Sequence, residues 1–344
     1  MFCSIFRSML RTIGIPTALV AASMTLLVAA VPRASADDRA AVKNVVKQDA
    51  SRSNTCFRTD DEGKALAETS CDLAAIRASA SHGQVFAQNQ LGLISALIVG
   101  QGTDIRQARG WFEKAARRGY ASAQVNLAVT YINGWGTPQN YGAALHWLNT
   151  AAKQGHPSAY GNLGILYMNG WGVRRDYAEA RKYFELAANA GDSGAQSNLG
   201  YLYDTGLGVV QDYALASHWY HLAADNGNAL GQNNLADLYL RGQGVRQSYD
   251  QAFYWFQKAA QQGNTGARIK LGFLLMNGLG APKDPSAAYS WILAASKAGD
   301  HRGDEYLPAL EATLDRQKLA LAAQQAQTLE DGMLLRSVRS NLVP

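Results

Sequence analysis

Residues 121–156 read ASAQVNLAVTYINGWGTPQNYGAALHWLNTAAKQGH, and residues 157–192 follow as PSAYGNLGILYMNGWGVRRDYAEARKYFELAANAGD. Laid over one another without a gap, the two segments share an Asn-Leu pair, a Tyr four residues after the Leu, two glycines separated by a tryptophan, and an Ala-Ala pair ahead of a glycine. The frame extends in both directions. Large aromatics stand at Trp111, Trp147, Tyr183, Trp219, Trp255 and Trp291, always 36 residues apart, and a glycine follows each by eight residues, from Gly119 to Gly299. A fixed period of this length marks a repeat architecture, in which the unit is one supersecondary motif that cannot bury its apolar face alone.

The spacing inside the unit predicts two helices. Ala144, Trp147 and Ala151-Ala152 lie at offsets of three and four, hence on one helix face, and the glycine at 155 suits a C-terminal cap. We call this helix B. Leu127/Tyr131, Leu163/Tyr167, Leu199/Tyr203 and Leu235/Tyr239 are each four apart and define a second face, helix A. The glycine pairs 134/136, 170/172, 206/208, 242/244 and 278/280 form the loop between A and B, where a positive φ reverses the chain. The aromatic series is expected to fill the space between successive hairpins, with alanines allowing close approach of the helices.

The combination Ala-x-Ala-Gln-x-Asn-Leu-Ala-x-x-Tyr-x-x-Gly-x-Gly at 121–136, followed by Tyr-x-x-Ala-x-x-Trp-x-x-x-Ala-Ala-x-x-Gly at 141–155, resembles the Sel1-like repeat, a relative of the tetratricopeptide repeat. The resemblance covers residues 83–300 as six repeats starting near 86, 121, 157, 193, 229 and 265, and implies an all-α, right-handed α-solenoid. Residues 37–82 are expected to form an N-terminal cap of one or two helices. Residues 301–330 are expected to supply a C-terminal capping helix with Leu307, Leu310 and Leu314 on one face, and 331–344 a flexible tail.

The first 36 residues follow a different logic. Arg7 and Arg11 precede an apolar run from Ile13 to Val31, and Ala34-Ser35-Ala36 stands before Asp37, the order of a cleaved export signal. The expected location is therefore the periplasm or beyond, with no membrane span after cleavage; an uncleaved anchor is the competing reading of the same run. Setting aside Arg7, Arg11 and Arg33 leaves 29 basic residues against 27 acidic, without a basic run, which argues against nucleic acid as the partner. Cys56 and Cys71 would remain in an oxidising compartment, where an even count favours one disulfide, worth about 3 kcal/mol for a loop of this size.

In tetratricopeptide-like folds helix A lines the concave side, so the resemblance places a groove on the helix A positions turned away from the Leu/Tyr face. Asn126, Asn162, Asn198 and Asn234 stand there in four successive repeats. Each offers a donor and an acceptor, either to the backbone of an extended peptide or to the neighbouring repeat. Beside them the residues vary: Val125/Val129, Gly161/Ile165, Ser197/Tyr201, Asn233/Asp237 and Ile269/Phe273, with Asp204, Asp237, Arg241 and Lys270 nearly cancelling in charge. His218, His221 and Asp225 share helical spacing, but core positions interrupt them and a metal site is not expected. No nucleophile, phosphate-loop or zinc-protease motif occurs in the sequence. The expected function is a monomeric, cofactor-free, non-enzymatic scaffold binding a partner protein or peptide segment; a cell-wall hydrolase or a β-lactam or muropeptide binder is the alternative.

Overall fold

The computed structural model describes the backbone of residues 56–59, 65–68, 73–97 and 103–340, and the side chains of 74–96 and 105–330. The proposed signal segment and Cys71 lie outside these residues. The helices are α1 (Leu73–Ser81), α2 (Val85–Leu97), α3 (Thr103–Arg117), α4 (Ala121–Asn133), α5 (Tyr141–Ala152), α6 (Pro157–Asn169), α7 (Tyr177–Asn189), α8 (Ser193–Thr205), α9 (Tyr213–Asp225), α10 (Ala229–Arg241), α11 (Tyr249–Gln261), α12 (Thr265–Asn277), α13 (Pro285–Lys297), α14 (Leu307–Glu311) and α15 (Arg316–Ser340). They fall into two compact units, one ending at Gly191 and one running from Asp192 to Arg336. The solenoid class is as expected: A and B pack as antiparallel hairpins, α4 on α5, α6 on α7, α8 on α9, α10 on α11 and α12 on α13.

Helix B starts where a polar residue ends the loop. Asn140, Asp176, Asp212, Ser248 and Asp284 are extended, and each side chain accepts a hydrogen bond from an N–H in the first turn. Helix A ends at the first glycine of each pair, whose left-handed backbone returns its N–H to a carbonyl four residues back, as Gly242 does to Leu238. The second glycine has a further reason to lack a side chain. A Cβ on Gly244 would stand 2.1 Å from the Tyr213 carbonyl oxygen, and one on Gly280 would stand 2.2 Å from that of Tyr249, because the loop seats on the start of the preceding helix B.

The core corrects one expectation. The 36-residue aromatics are only half-buried, apart from Trp255; the fully enclosed side chain is the next residue, the series Phe112, Leu148, Phe184, Tyr220, Phe256 and Ile292. Each of these plugs faces a small residue that follows the core leucine of helix A. A Cβ on Gly164 would lie 2.5 Å from the Phe184 ring, and one on Gly200 2.6 Å from that of Tyr220. The tryptophans and Tyr183 lie at the seams instead, as where Tyr183 stacks on Tyr167 with ring centroids 5.5 Å apart.

Hydrogen bonds join successive hairpins. At the fourth position of helix A, Gln88, Gln124, Tyr160 and Gln232 each donate to the second alanine carbonyl of the helix before it, Ala80, Ala116, Ala152 and Ala224 respectively, over 2.9–3.2 Å. Gln154 and Gln262 extend the chain by donating to Gln124 and Gln232. Each of these carbonyls also accepts from the glycine N–H three residues on, so the side chain supplies its second bond at the helix end. Gln88 makes its bond to α1, so α1 stands as an unpaired helix B ahead of the first repeat.

Beyond the repeats the period stops at both ends. Among the described residues of 37–82 are one helix, α1, and ahead of it two short antiparallel strands, β1 (Cys56–Thr59) and β2 (Ala65–Glu68), pairing Cys56 with Glu68 and Thr59 with Ala65. At the other end the single capping helix is split: a 3₁₀ turn at His301–Tyr306, then α14 and, after a break, α15, which runs on to Ser340. Leu307, Leu310 and Leu314 nevertheless pack against one core. The helix occupies most of the segment expected as a flexible tail.

Arg268 takes the glutamine position in the last repeat and is fully buried. Its Nε donates to the Ala260 carbonyl at 3.3 Å, Nη1 to Ala294 at 3.0 Å and Nη2 to Leu329 on α15 at 3.2 Å. Burial pushes its guanidinium down to about 10, so it is charged at neutral pH. One side chain thus ties two repeats to the terminal helix.

Candidate functional site

The helix A faces differ between the two units. In the unit ending at Gly191 the asparagines are engaged by the protein itself: Asn126 Nδ2 donates to Asn89 Oδ1 of the preceding repeat at 2.9 Å, and Asn162 Nδ2 to the Ser158 carbonyl at 2.8 Å. Val125 packs into the core with Leu148 and Leu163. Val129 is 5% exposed, so it offers no groove surface, and of the expected positions here Asn126 and Ile165 are partly open.

In the unit from Asp192 to Arg336 the corresponding face carries more chemistry. Asn198 is 8% exposed and its amide makes no hydrogen bond. Tyr201 follows one turn later, half-buried, and Phe273 is 37% exposed, its ring 6.3 Å from that of Tyr306. Asp237 is ion-paired with Lys270, whose Nζ also stands 5.4 Å from the centre of the Phe256 ring. Arg241 is exposed and turns its Nε to the Asp237 carbonyl at 3.3 Å. Asn234 accepts from Asn233 Nδ2 at 3.0 Å and also bonds the Tyr220 hydroxyl.

Tyr220 is the residue that the sequence reading missed. Its ring is the plug of helix α9, and its hydroxyl reaches the helix A face, donating to Asp204 Oδ2 at 3.3 Å. Burial holds the Tyr220 hydroxyl well above the ordinary phenol range, so it stays a donor. Asp204 is held above the usual carboxylate range, first by desolvation and then by Asp237; Arg241 and the Tyr220 bond oppose this. The signal was present as a tyrosine in a series otherwise made of Phe, Leu and Ile.

Chemically the face offers amide, carboxylate, cationic and aromatic groups, the means of recognising another chain. His221 Nε2 lies 3.2 Å from the Tyr239 hydroxyl and His218 edges against Trp219, so the two are engaged separately. Among the described residues no group of three or more His, Cys, Asp and Glu is placed to hold a metal ion, and no helix is long and apolar enough to cross a membrane.

Comparison with known proteins agrees with this geometry. A Sel1 repeat protein from Oxalobacter formigenes is 33% identical, with a TM-score of 0.59 over 63% of this chain and 89% of that one. The c5321 protein, a protective antigen present in uropathogenic Escherichia coli strains and displaying an SLR fold, is 25% identical with a TM-score of 0.46, covering 80% of this chain and 68% of its own. No curated protein matches the chain. The family described as Sel1 repeat matches residues 85–120, 121–156, 157–192, 193–228, 229–264 and 266–300, in the same frame as the six hairpins. With more than half of its length in those matches, the chain belongs to the Sel1 repeat family.

Proposed function

We propose that this protein is a non-enzymatic scaffold that binds an extended segment of a partner protein along the helix A face of residues 192–336. Sel1 repeat proteins are in general scaffolds for protein–protein interaction. The observation that carries the reading here is Asn198, a mostly buried residue whose amide makes no hydrogen bond within the protein and still reaches solvent, on a face where Tyr201 and Phe273 also keep open surface. An amide that is open to solvent and uncommitted within the protein offers both a donor and an acceptor to an incoming backbone. Aromatic anchors beside such groups are the usual carriers of binding energy. With residues 1–36 read as an export signal, the scaffold would work as a monomer in the periplasm or outside the cell, its N-terminal cap closed by a Cys56–Cys71 disulfide.

The test is comparative crosslinking in the exporting cell with the parent chain and a Tyr201→Glu/Phe273→Glu variant. Both substitutions fall on partly or fully open positions, so the fold is expected to persist. One specific crosslinked species should vanish from the variant while its circular dichroism and melting temperature stay unchanged. Retention of every species by a folded variant would move the binding surface off this face.

A further inference from the structure

Two departures from the repeat frame coincide in the fourth repeat. The position held by Asp204 is Ala96, Ile132, Met168, Leu240 and Met276 in the other five, all apolar. The plug position held by Tyr220 is Phe112, Leu148, Phe184, Phe256 and Ile292, none with a hydroxyl. Packing therefore asks for neither polar group. The structure places them in contact, the Tyr220 hydroxyl donating to Asp204 Oδ2 at 3.3 Å, with Asn234 of the next helix A bonded to the same hydroxyl.

The Asp204 carboxylate is half-buried, and among the described residues no cation forms an ion pair with it. Lys270 is committed to Asp237, and Arg241 donates to the Asp237 carbonyl, near enough to influence Asp204 but not to pair with it. A desolvated carboxylate with one neutral donor is under-compensated, and a charge-assisted hydrogen bond from a cation is the strongest contact it can make. On the same helix, Asn198 is 8% exposed and its amide makes no hydrogen bond while still reaching solvent, and the half-buried Tyr201 lies between the two in sequence with an aromatic ring suited to a cation's flank.

We propose that Asp204, held by Tyr220, receives the ammonium or guanidinium group of a lysine or arginine presented by the bound segment. The proposal rests on the reading of this face as a partner-binding surface and names what that surface selects. A neutral or acidic residue in the same place would leave the carboxylate unpaired, so the site discriminates by charge.

The experiment uses the isotope-labelled chain and three small probes, N-acetyl-arginine amide, N-acetyl-lysine amide and N-acetyl-glutamine amide, titrated while backbone amide resonances are followed. The cationic probes should shift resonances of residues 198–205, Tyr220 and Asn234 with saturation, and the glutamine probe should bind about tenfold more weakly. Asp204→Asn, which keeps shape and removes charge, should weaken the cationic probes by about tenfold and leave glutamine unchanged; Tyr220→Phe should weaken them less. Equal response to all three probes, indifference to Asp204→Asn, or no local shift at concentrations of about 50 mM would overturn the proposal. If crosslinking to a partner depends on Tyr201 and Phe273 but is untouched by Asp204→Asn, the scaffold reading stands and this assignment alone fails.

Discussion

Helices α4 and α6 of the unit ending at Gly191 and helices α8, α10 and α12 of the following unit are built on one frame, yet they use the same surface positions differently. In the first, Asn126 and Asn162 are bonded within the protein, and Val129 and Met168 are enclosed. In the second, Asn198 is unbonded, Asp204 replaces a core-edge methionine, and Phe273 is open. The leucines, plugs and alanines beneath are the same in kind. A repeat array thus separates what must recur, the interlock between hairpins, from what is free to vary, and variation that spends stability is the part that reports on function.

If the two units share a core, equal damage to each should cost the same. Phe184→Ala in the first and Phe256→Ala in the second remove fully buried rings and should each lower stability by about 3–5 kcal/mol, measured by urea unfolding. Trp219→Ala, at the position that the sequence pattern marks most loudly, should cost about half as much, since its ring is already partly in water. A Trp219 variant as damaged as Phe256→Ala would place the principal interlock back on the tryptophan series.

The units also differ at one interior position. Arg268→Ala removes three side-chain bonds, to the Ala260, Ala294 and Leu329 carbonyls, and empties a buried site; it should cost about 2–4 kcal/mol, with protection from hydrogen exchange lost first in α15. Arg268→Gln restores the residue of the inner repeats. It should recover the Ala260 bond and about a third of the loss, leaving α15 exposed. Full recovery by glutamine would show that the arginine serves its own repeat and not the terminal helix.

Much of this was legible because the period is rigid. The glycine pairs, the Leu/Tyr face and the alanines each recur at fixed intervals, and steric demands allow few substitutes. What the sequence hid was of two kinds. The plug series was masked because its chemistry varies among Phe, Leu, Tyr and Ile while its neighbour is conspicuously aromatic, so the eye follows Trp219 and passes Tyr220. The state of each asparagine was hidden because one amide at one helical position can bond inward, as Asn126 does, or remain unbonded, as Asn198 does, and only the neighbouring side chains decide. The N-terminal hairpin and the split cap lie where the period stops, which is where the frame gives no guidance.

Asparagine substitution tests the contrast directly. Asn126→Ala removes a bond between repeats and should cost about 1 kcal/mol of stability without touching partner capture. Asn198→Ala removes no bond, should leave stability nearly unchanged, and should weaken capture. Matching effects in the two variants would erase the distinction between the faces.

The smallest expected change is the most diagnostic, because its sign opposes the usual effect of mutation. Restoring the frame with Asp204→Met together with Tyr220→Phe replaces a half-buried carboxylate and its hydroxyl by the residue types found in neighbouring repeats. Stability should rise, by less than about 1 kcal/mol because Asp204 is partly solvated, while binding falls. The gain should also depend on pH in a defined direction. Desolvation chiefly, with Asp237 adding to it, raises the folded pKa of Asp204 above the 3.8 of the free side chain, so between those two values the folded chain binds more protons than the unfolded one. Parent stability therefore declines as pH rises through that interval; the penalty is absent below the free value and complete once the pH exceeds the raised folded one. The advantage of the double variant over the parent should accordingly be negligible in acid and open as the pH rises. An advantage that is flat with pH, or a variant less stable than the parent, would mean that the Asp204–Tyr220 pair supports the fold, and the fourth repeat would then lose its claim to a separate role.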